Sequence, residues 1–127
     1  MAQPTPVQRP ELVTLAVARA KEGDTNALHF LYVRFADDVC AYVNNIVPSL
    51  DDSRDITQGV FRKLMTTIQG YEPREVPFAA WLVRVSRNAA LDHLVACEDA
   101  QLRQVLLCLQ DHRLPRPRQI LENAGLE

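Results

Sequence analysis

The sequence is short of the residues that build sites in small secreted or metal-binding proteins. Its 3 cysteines, Cys40, Cys97 and Cys108, are odd in number and match no CxxC pair. That arithmetic excludes a disulfide framework or a zinc knuckle and points to reduced, buried thiols in a cytoplasmic protein. Only 4 glycines occur in 127 residues, and there is no P-loop, no glycine-rich nucleotide turn and no GxSxG elbow. His29, His93 and His112 are scattered, with no HExxH and no metal-ligand spacing. With no convergent titratable groups, neither catalysis nor a cofactor nor a metal is expected. No hydrophobic run approaches the ~18 residues of a membrane span, and residues 1–10 carry no apolar signal region, so no membrane contact of the chain's own is expected. An excess of one charge is missing too. The 14 Lys+Arg against 16 Asp+Glu leave a net charge of −2, which disfavours a strongly basic, autonomous DNA binder.

What is present reads as one helical domain. A hydrophobic share of 47% and a charged share of 24% suit a globular core, and no alternating strand pattern appears. After a flexible N-terminus at 1–10, residues 11–22 form a first helix that Gly23 ends. Asp24 then caps a longer helix with Leu28, Leu31, Tyr32, Phe35, Val39, Tyr42, Val43 and Ile46 along one side, a kink near Ala36–Asp38 and Pro48 at its close. Asp51 or Asp52 caps a third, running to about Gln69 over Ile56, Val60, Leu64 and Ile68. A polar loop, Tyr71–Val76, follows Gly70. A fourth helix starts near Pro77 and reaches about Cys97. The fold class is all-α: a compact four-helix domain over 11–97. Residues 98–127 carry one more leucine stripe (Leu102, Val105, Leu106, Leu109), a basic proline-broken linker at 113–118 and a last short helix at 117–124.

Two helical faces invite recognition. On the third helix Asp55, Gln58 and Arg62 share a polar side at i, i+3 and i+7, with Phe61 at its margin. On spacing alone, a solvated helix face is the plainer reading. On the fourth, Trp81, Arg84 and Asn88 line up in the same way, with Arg87 three residues beyond Arg84. An indole, two guanidiniums and an amide are a kit for bases and phosphates. A core tryptophan with surface arginines accounts for the spacing equally well.

These residues carry a resemblance. Asp55-Ile56-Thr57-Gln58-Gly59-Val60-Phe61, followed by Phe78-Ala79-Ala80-Trp81-Leu82-Val83-Arg84-Val85-Ser86-Arg87-Asn88, resembles region 2 of bacterial sigma factors, most closely the extracytoplasmic-function group. Glu11-Leu12-Val13 and Gly23-Asp24 are similar to that group's opening helices, so the likeness covers roughly residues 10–97 in order. It implies a cytoplasmic promoter-recognition subunit of RNA polymerase. Asp55, Gln58, Phe61 and Arg62 would then dock on the clamp helices of the largest subunit. Tyr71, Arg74, Phe78, Trp81, Arg84, Arg87 and Asn88 would meet the non-template strand of the promoter −10 element, with Trp81 mainly packing the fourth helix on the third. An anti-sigma factor is the further partner the resemblance implies. A sigma-like module that binds polymerase or an anti-sigma protein without starting transcription is the competing reading.

The departures are specific. Residues 98–127 are too few for the helix-turn-helix domain that reads the −35 element, so either a shortened chain or a natural single-domain relative is expected. Gly59 sits inside the clamp-binding helix, where it costs about 1 kcal/mol against alanine. Between 71 and 97, Arg74, Arg84 and Arg87 are balanced by Glu72, Glu75 and Asp92.

Overall fold

The computed structural model describes residues 10–96 and Ile120. The flexible N-terminus expected over 1–9, Cys97, Cys108, His112, the stripe and linker of 98–118 and, apart from Ile120, the short helix expected at 117–124 lie outside the described residues. Within residues 10–96 five helices follow one another: α1 (Pro10–Lys21), α2 (Thr25–Ile46), α3 (Leu50–Arg62), a single turn α4 (Leu64–Thr67) and α5 (Phe78–Ala96), with a 3-10 turn at Ile68–Gly70 after α4.

Local chemistry sets the boundaries. Gly23 has φ +94°, a left-handed conformation that a side chain resists. There its N–H reaches Ala20 O at 3.0 Å, and Asp24 N–H reaches Arg19 O at 3.0 Å. This paired closure of the last carbonyls stops α1. Asp24 then turns its carboxylate onto the N–H groups of Asn26 (2.9 Å) and Ala27 (3.4 Å) and opens α2. α2 runs for 22 residues as one α-helix, unbroken through Ala36–Asp38. Ala36 is itself buried in the helix contact.

Two boundaries differ from expectation. Ser49, not Asp51 or Asp52, caps α3, its hydroxyl accepting from Asp52 N–H at 3.3 Å. The two aspartates occupy the first turn, where they favour the helix dipole. The third helix also does not continue to Gln69. Lys63, at φ −89° and ψ −3°, interrupts it. Val60, Leu64 and Ile68 are all buried across that break, so the apolar spacing runs on while the backbone ladder does not.

α2 is the central helix, packed by α1, α3 and α5, and α3 packs on α5. Leu31, Phe35, Val39, Val43, Ile46, Leu64, Leu82 and Leu94 fill the interior, and Ile120 joins the same core. The buried hydroxyls are satisfied by carbonyls one turn back: Ser53 donates to Ser49 O (2.8 Å), Thr57 to Ser53 O (2.7 Å) and Ser86 to Leu82 O (2.8 Å). Small hydroxylated side chains thus let α3 and α5 press closely on their neighbours.

Candidate functional site

α3 buries Ile56, Val60 and Phe61, which leaves Asp55, Gln58 and Arg62 in water on the opposite side. These three form a ridge between two grooves. One groove, about 400 Å³, lies toward α2 and is bounded by Leu28, His29, Tyr32, Gln58, Phe61 and Arg62. The other, about 560 Å³, runs between α3 and α5 past Asp55, Gly59, Lys63, Asn88, Asp92 and His93. Phe61 borders the polar face beside Gln58 and Arg62 but offers little of itself to water. It is buried, its ring edge-to-face with Tyr32 at 5.3 Å, so its edge supports the first groove from below. A Cβ built on Gly59 would meet nothing within 4 Å; the fold itself does not need this glycine. His93 turns to Asp52 of α3 at 3.6 Å, not to neighbouring Asp92.

The loop 71–77 and α5 make the second surface. Arg74, Arg84 and Asn88 are exposed, while Trp81 and Arg87 are half-buried. Tyr71 and Phe78 are only 4% and 7% exposed. Their rings pack at 5.6 Å, and each meets Trp81, at 5.1 and 5.7 Å; Phe35 of α2 closes the cluster at 5.5 Å from Phe78. Neither Tyr71 nor Phe78 offers a ring face on which a base could stack in this arrangement. The reason is physical: two apolar rings beside Phe35 gain more from burial than from water. The Tyr71 hydroxyl is also spoken for, donating to Val76 O at 2.6 Å across the loop. Burial raises the Tyr71 pKa above 10.0, and the nearby Glu72 charge adds to the rise.

The two arginines of α5 diverge. Arg84 faces water, whereas Arg87 lies close enough to Tyr42 of α2 to act on its phenol. Burial raises the Tyr42 pKa, and the Arg87 charge offsets part of that rise. Behind the loop, an apolar cavity of about 680 Å³ is walled by Val17, Phe35, Tyr71 and Phe78, with Lys21 and Arg34 among its polar lining.

The structure therefore groups Asp55 with Asn88 on one groove and sets Gln58 and Arg62 over another. It separates Arg87 from Arg84. Two residues that sequence reasoning missed lie beside the loop: Lys21 Nζ donates to Tyr71 O at 2.7 Å, and Gln69 Nε2 donates to Lys21 O at 2.8 Å. No spacing rule links residues so far apart in the chain. Among the described residues, no three His, Cys, Asp or Glu are grouped to hold a metal ion, and no helix is long and apolar enough to cross a membrane.

Comparison with known proteins decides the family. The family model described as "Sigma-70 region 2" matches residues 31–96, more than half of the chain and the stretch from the second turn of α2 to the end of α5. The chain belongs to the sigma-70 region 2 family. It is 34% identical over 80 residues to the ECF RNA polymerase sigma-E factor of Escherichia coli (strain K12), covering 63% of this chain and 41% of that protein. The sigma-E factor of Salmonella typhimurium gives the same figures. The ECF RNA polymerase sigma factor BldN of Streptomyces coelicolor is 31% identical over 77 residues, covering 61% of this chain and 29% of its own length. The matched segment thus spans less than half of each relative. No solved structure matches the chain. Both exposed surfaces fall inside the region 2 match, and the described residues are all-α, as the periodicity implied.

Proposed function

We propose that the domain serves transcription initiation, docking on RNA polymerase through α3 and recognising and helping to melt the promoter −10 element through the loop and α5. The ridge of Asp55, Gln58 and Arg62, braced by buried Phe61, is the polymerase face, and its partner is the clamp helices of the largest subunit. Arg84 and Asn88, exposed about one turn of α5 apart, with Arg74 of the loop, are the side chains that meet the non-template strand. Tyr71 and Phe78 contribute by holding Trp81 and the loop in place, and Arg87 by its place between α5 and Tyr42. The single observation that carries this reading is the region 2 match over α2–α5, with both exposed surfaces inside it.

Charge supports a division of labour. The segment 71–97 is balanced, three arginines against three acids, so phosphate attraction offers little net gain. Extruding a base costs a few kcal/mol, and that cost is met by polymerase binding. An anti-sigma protein covering either face is the regulatory partner that fits. Run-off transcription with Arg84→Ala plus Asn88→Ala tests the proposal. Initiation is expected to collapse while polymerase binding survives; an unchanged transcript profile would instead favour a binding module that does not start transcription.

A further inference from the structure

We infer that Lys21 and Gln69 are positioning residues for base selection: together they lock the start of the 71–77 loop to the end of α1. The inference rests on the −10 reading just given. The contact is reciprocal. Lys21 sends its ammonium to the Tyr71 carbonyl (2.7 Å), and the Gln69 amide returns to the Lys21 carbonyl (2.8 Å), joining residues 50 and 48 positions apart. Carbonyls of a final helical turn lack partners within the helix, so the Gln69 bond also finishes α1. A cation there suits the helix dipole as well.

Tyr71 is the node of this arrangement. Its ring is fixed by Phe78 and Trp81 of α5, its hydroxyl by Val76 at the far end of the loop, and its carbonyl by Lys21 of α1. The stretch between, Glu72 to Glu75, is exposed and held by short local bonds, Arg74 N–H to Glu72 Oε1 (3.2 Å) and Glu75 N–H to Glu72 O (3.1 Å). Where that stretch stands relative to Arg84 is therefore set at Tyr71. A site on a loop needs its support within about half an ångström to discriminate between ligands. Without the clasp, the ring of Tyr71 remains buried, but its carbonyl and the chain that follows can pivot about it.

The test uses the 127-residue chain bound to core RNA polymerase, with fluorescent single-stranded oligonucleotides of the −10 non-template sequence and versions changed at one base. Lys21→Ala and Gln69→Ala should each lower the ratio of affinities between matched and changed strands by roughly tenfold. The double variant should lose little more, because the two bonds act as one unit. Core affinity and melting temperature should stay near wild type, and Lys21→Arg, which keeps a cationic donor, should restore most of the selectivity. Gln69 is exposed, so its variant remains informative even if Lys21→Ala folds poorly. Wild-type selectivity in both alanine variants overturns the inference, as does selectivity lost only in step with melting temperature. A wild-type complex that shows no base preference defeats the −10 reading itself.

Discussion

On α3, three solvated side chains stand on a helix whose other side is sealed against α2 and α5, and nothing has to move for them to meet a partner. On α5 and its preceding loop, the exposed groups stand over a layer of packed rings, and part of the surface is a loop whose place depends on Tyr71. The first surface is a rigid ridge between grooves, suited to another folded protein. The second is a few polar groups on an aromatic base, with no net charge to attract a strand. That contrast teaches an order of events. On the proposed reading, polymerase binding would need only what α3 already presents, whereas strand recognition would need a base that something else has exposed. Isolated, the domain should bind a −10 oligonucleotide weakly.

The largest expected effect erases the contrast. Leu82 is fully buried on the inner side of α5. Leu82→Ala should cost about 2–5 kcal/mol, and both surfaces should fail together. Urea unfolding gives the stability loss directly. Equal loss of polymerase binding and strand binding near the melting transition is the accompanying sign. Survival of either surface alone would show that the two do not share one cooperative unit.

Next come the paired surface variants, which separate the two roles. Asp55→Ala plus Gln58→Ala should weaken core polymerase affinity by roughly thirty-fold, about 2 kcal/mol, and leave strand selectivity in the residual complex intact. Arg84→Ala plus Asn88→Ala should do the reverse. Stability should move by less than about 0.5 kcal/mol in either pair, since all four side chains are exposed. Fluorescence anisotropy with labelled core and labelled strand reads both arms. Crossed effects would point to the α3–α5 groove, which Asp55 and Asn88 both line, as a single shared interface.

Gly59 gives a smaller effect with the opposite sign. Its Cβ position is open, so Gly59→Ala should raise stability by about 1 kcal/mol, seen as a higher denaturant midpoint. If polymerase affinity falls while stability rises, the glycine serves a partner's close approach to α3. If affinity holds, the position is merely tolerated.

These residues also show which features a sequence displays. Gly23 and Asp24 are chemical stop and start signals acting within a few residues, and both were legible. Ser49 is not distinguishable in the sequence from Asp51 or Asp52, because all three are good caps and only backbone dihedrals choose among them. The break at Lys63 was hidden because apolar spacing records burial, not hydrogen bonding, and Val60, Leu64 and Ile68 stay inside across it. The exposed ridge and the Arg84–Asn88 strip followed from helical spacing. The burial of Tyr71 and Phe78 did not, since it depends on Phe35 arriving from another helix. Lys21 and Gln69 left no local mark at all.

The smallest effect belongs to the loop side alone. The Tyr71 phenol donates to Val76 O in the folded state, and burial, with Glu72 nearby, holds its pKa above 10.0. A phenol with a raised folded-state pKa keeps its proton longer in the folded chain than in the unfolded one. Its stabilisation is therefore complete below pH 10 and is lost as pH rises from there through the folded value. Tyr42, also raised by burial, acts in the same direction. Stability from urea titrations should thus be flat on account of these groups near neutrality and decline above pH 10. Tyr71→Phe should cost about 1 kcal/mol at pH 7 through the lost hydrogen bond and should make the alkaline decline shallower. An equally steep decline in the variant would mean that the loop is not closed by this bond in solution, and that the strand-reading surface is even less preformed than the α3 ridge.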